Sequence, residues 1–120
     1  MKRMLATMLM ISSIPAAFAL DHSSRGSVRI KPIAGNVFVD VLRISLTPHA
    51  KTPMHEVTPR VVVWLSDAHF VDHYADGTTR EETRKAGDAE WVSARRHSGE
   101  NLSDQPMEFI AVVVKAAATH

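Results

Sequence analysis

Arg60-Val61-Val62-Val63-Trp64-Leu65 decides the fold. A continuous apolar run of this length, rich in β-branched residues, reads as a strand buried on both faces. Similar segments lie on either side of it. Upstream, Val28 to Lys31 is a short strand and Asn36 to Leu46 a long one, opened by Ala34-Gly35-Asn36. Downstream, Ala68 to Tyr74 alternates, Asp76-Gly77 makes a tight hairpin turn, and Thr78 to Lys85 returns as a polar strand at an edge or on an outer wall. Gly87-Asp88 turns the chain into Ala89 to Ser93, Met107 to Lys115 is the last strand, and Ala116 to His120 is a frayed end. Ser98 to Pro106 is the longest polar stretch and is expected to form a mobile loop. No helix-period segment of useful length interrupts this series. Many short strands with closely spaced turns predict an all-β sandwich or barrel.

The first nineteen residues stand apart. Lys2 and Arg3 precede an apolar stretch from Met4 to Phe18, and Ala17-Phe18-Ala19 offers small residues where a signal peptidase reads. Residues 1–19 are therefore expected to be a cleaved signal peptide. Ser12, Ser13 and Pro15 break the apolar run, which is also short for a membrane span. The expected mature chain, residues 20–120, suits one domain in the periplasm or outside the cell. Losing Lys2 and Arg3 takes the formal charge from +1 to −1, because the segment holds no acid. Such a balance offers no electrostatic footprint for nucleic acid, and no basic helix is present to lie on a membrane. Cysteine is absent, which excludes disulfides, thiolate metal sites and thiol catalysis.

Chemistry has to come from other residues. There is no Gly-x-Ser-x-Gly elbow and no Gly-rich phosphate loop. Two histidines, His55 and His97, lie at the edges of β-rich stretches, where a small barrel would aim them into one cavity. Residues two apart on a strand share a face, so a chelating pair needs His-x-His; here Val57 holds the second place, and Glu56 points the other way. A third ligand would come from Glu100 or His49. Catalytic zinc sites take three protein ligands, and two histidines with a carboxylate hold non-haem iron. His69 and His73 share a face but lie about 13 Å apart along a strand, too far for one ion, and are expected to be exposed or half-buried. Arg60, Arg95 or Arg96 could pair with a ligand carboxylate, although Arg95-Arg96 reads more simply as a solvated turn. Trp64 and Trp91 are expected in the core, with Trp64 also placed to line a cavity.

Thr47 to His55, the run Val61 to Leu65, and Ala86-Gly87-Asp88 through His97-Ser98-Gly99-Glu100-Asn101 together resemble a small single-domain cupin. The first family motif is G-x5-H-x-H-x3,4-E-x6-G. His49 stands in its Gly place, His55 is its first ligand, Val57 replaces the second, and no acid stands at Val61 or Val62. The second is G-x5-P-x-G-x2-H-x3-N. Gly87 fits, Ser93 and Arg95 replace Pro and Gly, His97 comes one residue early, and Asn101 keeps its spacing from His97. The resemblance spans Val37 to Lys115. It implies a jelly-roll β-barrel, often a homodimer, with a cavity between two sheets. Family activities include dioxygenation, isomerisation, decarboxylation and ligand binding without catalysis, frequently with iron, manganese, zinc or nickel.

Three functions follow as expectations. One is an exported protein that binds a small organic ligand through His55, His97, Arg60 and Trp64 without a complete metal site. Another is a metal-dependent enzyme using His55 and His97 with a reduced ligand set. The third is a dimeric scaffold in which Phe109 to Val114 extends a sheet across a two-fold axis.

Overall fold

The computed structural model of the chain describes residues 26–116. The expected signal peptide and its cleavage site, His22, and residues 117–120 lie outside that range. Among the described residues there are nine strands: β1 (Val28–Gly35), β2 (Val39–Leu46), β3 (His55–Val57), β4 (Arg60–Trp64), β5 (Ala68–Tyr74), β6 (Thr79–Arg84), β7 (Ala89–Val92), β8 (Arg95–Asn101) and β9 (Met107–Val114). A five-stranded sheet has the order β1-β2-β9-β4-β7, and a four-stranded sheet the order β3-β8-β5-β6; every pairing is antiparallel. The two sheets face each other as a jelly-roll barrel. No helix among the described residues is long and apolar enough to cross a membrane.

Alternation decides what each strand sends inward. Register pairs Ile44 and Trp64 with Phe109, Leu46 with Met107, and Leu42 and Val62 with Ala111. These residues, joined by Val57, Phe70 and Val92, form one apolar core between the sheets. Trp64 stacks on Phe70 at 5.2 Å between ring centroids and meets Phe109 at 4.9 Å.

The run 60–65 is buried on one face only. Val62 and Trp64 point inward, Val61 and Val63 are half-buried on the outer face, and Leu65 is exposed beyond the strand. A sheet with a partner on one side has a single dry face, whatever its sequence. Trp91 is not core: it is 57% exposed, beside Val61 on that outer face. β1 runs past Lys31 to Gly35, and as an edge strand it accepts Pro32 at a bulge. Phe109 to Val114 cannot extend the sheet, because β9 is already flanked by β2 and β4.

The stretch Ser98 to Pro106 is a loop only from residue 102 on. Residues 98–101 complete β8, and their polar groups are used internally. Ser98 Oγ donates to the Thr52 carbonyl at 2.6 Å, and the Gly99 N–H donates to Thr52 Oγ1 at 2.8 Å. Asn101 is fully buried. Its Nδ2 donates to the carbonyls of Leu46, Thr47 and Gln105, and its Oδ1 accepts from the Ser103 N–H. One side chain thus ties the end of β8 to the end of β2 and to the following turn, satisfying groups that burial would otherwise penalise.

Candidate functional site

A cavity of about 690 Å³ opens between the sheets, the size of an organic-ligand pocket. Its wall is mostly apolar, from Leu42, Ile44, Val62, Trp64, Phe70 and Phe109 among others. Four guanidiniums (Arg60, Arg80, Arg84, Arg95), three carboxylates (Asp72, Glu82, Glu90) and two imidazoles (His55, His97) also line it.

His55 and His97 are directly opposed partners of β3 and β8, and their rings meet edge to face at 4.9 Å between centroids. The next inward residue on β3 is Val57, buried and apolar, while Glu56 points outward to Arg96 at 3.2 Å. His55 Nδ1 lies 2.7 Å from the Pro53 carbonyl. A carbonyl only accepts, so Nδ1 carries a proton and donates to it. His97 Nδ1 donates in the same way to Asp72 Oδ1 at 2.9 Å. Among the described residues neither Nε2 has a protein partner.

Asp72 is a site residue that the sequence pattern does not single out. It lies on the inward face of β5 with Ala68 and Phe70 and is 3% exposed. Besides fixing the tautomer of His97, it accepts from Arg95 at 3.2 Å. Its parity with Phe70 gives its face but not its burial. Arg95 and Arg96 are not a solvated turn but successive residues of β8. Arg95 faces the cavity and lies 5.7 Å from the Tyr74 ring, and Arg96 faces outward. Arg60, at the start of β4, lines the cavity from the other sheet; its guanidinium donates to the carbonyl and hydroxyl of Thr58. Burial, and then the nearby Arg95 cation, push Arg60 below its ordinary pKa.

The remaining histidines lie elsewhere. His69 and His73 are half-buried on the outer face, paired with Glu81 and Glu100. Glu100 is thereby removed as a third ligand, since it projects from the face opposite His97. His49 is removed as well: its backbone is left-handed at φ 63° and its ring pairs with exposed Asp104. Among the described residues no group of three His, Cys, Asp or Glu side chains is arranged to hold a metal. Two imidazole nitrogens with Asp72 committed to His97 and Arg95 do not complete a three-ligand set.

No family model and no curated protein sequence matches the chain. Solved structures do. A cupin domain from Bordetella pertussis Tohama I superposes with a TM-score of 0.71 at 20% identity, covering 77% of this chain and 97% of that one. A cupin family protein with a double-stranded β-helix fold from Methanocaldococcus jannaschii gives 0.58 at 14% identity, over 73% and 80%. A sugar phosphate isomerase of the cupin superfamily from Silicibacter pomeroyi gives 0.53 at 20% identity, over 74% and 60%. With two antiparallel sheets closed around one cavity and these neighbours, the chain has the cupin fold.

Proposed function

We propose that this protein is exported and binds a small organic ligand in the barrel cavity. The observation that carries the reading is the pair of imidazoles held 4.9 Å apart on the cavity wall, each tautomer fixed by a bond at Nδ1 and each Nε2 unspent. An apolar pocket with a few convergent polar groups is the usual anatomy of a ligand site. Each unspent Nε2 offers a hydrogen bond to a ligand hydroxyl or amide, and Trp64 and Phe70 supply flat apolar wall.

The direct test is to plug the cavity. A Cβ built on Gly99 meets nothing nearer than 3.8 Å, from Asp72, His97 and Thr52. Gly99→Val is therefore expected to fold and to fill part of the space. Hits from a fragment screen, followed by intrinsic tryptophan fluorescence, are expected to weaken by about tenfold or more in this variant, or about 1.4 kcal/mol. Unchanged affinities in the folded variant would place binding elsewhere. Stoichiometric iron, manganese, zinc or nickel in protein purified without chelator would favour the metalloenzyme reading instead. Export is tested by the N-terminus of the secreted or periplasmic form, expected at Leu20.

A homodimer has its own observation. Register places Val61 between Trp91 and Val112 and pairs Val63 with Ile110 on the outer face of the five-stranded sheet, with Trp91 more than half exposed. Such a face suits a second copy packed sheet to sheet. Light scattering at micromolar concentration tests it, and a Trp91→Glu variant is expected to be the more monomeric.

A further inference from the structure

The ion pairs of the cavity are unevenly distributed. Arg80 pairs with Glu82, Arg84 with Glu82 and Glu90, and Arg95 with Asp72. Arg60 has no carboxylate partner among the described residues; it reaches only Thr58. The partnering of Arg95 is incomplete, since its Nε is buried with no hydrogen-bond partner. Counting guanidiniums and carboxylates alone, four cations and three anions leave one positive charge uncompensated on a largely apolar wall. Arg60 comes from the five-stranded sheet and Arg95 from the four-stranded one, so the two approach the cavity from opposite walls.

We propose that the ligand is an organic monoanion whose carboxylate is held by Arg60 and Arg95, with its apolar body against Ile44 and Phe109. This rests on the cavity-binding reading above and names the ligand class. A guanidinium offers a planar fork that matches a carboxylate, and a buried donor left unmade is costly. A carboxylate supplies the one missing negative charge and an acceptor for guanidinium N–H groups of Arg60 and Arg95 that the bonds to Thr58 and Asp72 leave unused. It also relieves the repulsion that, with burial, lowers the Arg60 pKa. A dianionic phosphate would exceed the single charge the wall lacks.

The test uses matched acids and amides: hexanoate against hexanamide, and benzoate against benzamide, titrated calorimetrically into the full mature protein. The acids are expected to bind at least about tenfold tighter than their amides, the margin of a charge-assisted pair. Arg60→Gln is expected to reduce that ratio to about twofold, while Arg60→Lys retains part of it. Arg96→Gln removes the same charge from the outer face of the same sheet as Arg95 and is expected to leave the ratio intact, which separates contact from long-range field. Amides bound as tightly as acids, or an acid preference that survives Arg60→Gln, would overturn the anion assignment and leave cavity binding standing. Binding of none of the four would count against both.

Discussion

Two polar clusters share one cavity, and they are built differently. At one, Arg84 grips Glu90 through two bonds of 2.6 and 2.9 Å, Glu82 bridges Arg84 and Arg80, the Trp64 indole N–H donates to Glu90 at 2.7 Å, and Arg84 lies over the Phe70 ring. Each charge there has an opposite charge. The bond from Arg84, aided by that from Trp64, holds Glu90 below its ordinary value of 4.5, and Glu90 in turn raises Arg84. At the other, Asp72 is the only carboxylate paired with Arg95 and His97 among the described residues, Arg60 has no carboxylate partner there, and polar atoms are left over. The closed cluster has spent its bonds within the fold, and the open one has not. Residue types barely differ between them; what differs is whether the bonds are already made.

Removing the anion of the open cluster should have the largest effect. Asp72→Ala strands the Arg95 cation and frees the His97 ring, and is expected to cost about 3 kcal/mol in urea unfolding, moderated because Arg95 reaches some solvent. If it cost less than Glu90→Gln, the ranking of the two clusters would be wrong. Glu90→Gln is expected to cost about 1–2 kcal/mol at neutral pH, and it carries a pH signature. The folded pKa of Glu90 is depressed, so its stabilisation is complete above the ordinary value of 4.5 and is lost as pH falls through the folded value. Wild type should therefore lose its advantage over Glu90→Gln on acidification below about pH 4.5, and a difference independent of pH would contradict the Arg84 bond as its source. The smallest effect belongs outside the cavity. Arg96→Gln breaks a pair whose side chains are 50% and 71% exposed, and is expected to change stability by less than about 0.5 kcal/mol.

Much of this was legible in the chain. Strand alternation and the order of the motifs gave the all-β cupin barrel. The same alternation set His55 and Val57 on one face and Glu56 on the other. Arg95 was equally legible, because it stands two residues from His97 and shares its face. Asp72 was harder. On β5 both faces carry polar side chains, His69 and His73 outward and Asp72 inward, so local pattern does not distinguish a buried carboxylate from a solvated one. Glu100 and His49 are close to His97 and His55 in sequence, yet strand parity and a left-handed turn send them away. The polar stretch from Ser98 resembled a loop because its hydrogen-bond partners, Thr52 and the end of β2, lie some fifty residues back in the chain. Composition records that a residue is polar and not whether a distant backbone group satisfies it.

The division between spent and unspent charge is tested most directly by measuring the unfolding free energies of Arg84→Gln and Arg60→Gln side by side. Arg84 holds two carboxylates, so its variant is expected to lose about 2 kcal/mol, whereas Arg60→Gln should stay within about 0.5 kcal/mol of wild type because it removes an uncompensated charge. Equal losses in the two variants would show that the fold itself depends on Arg60, and would contradict the account.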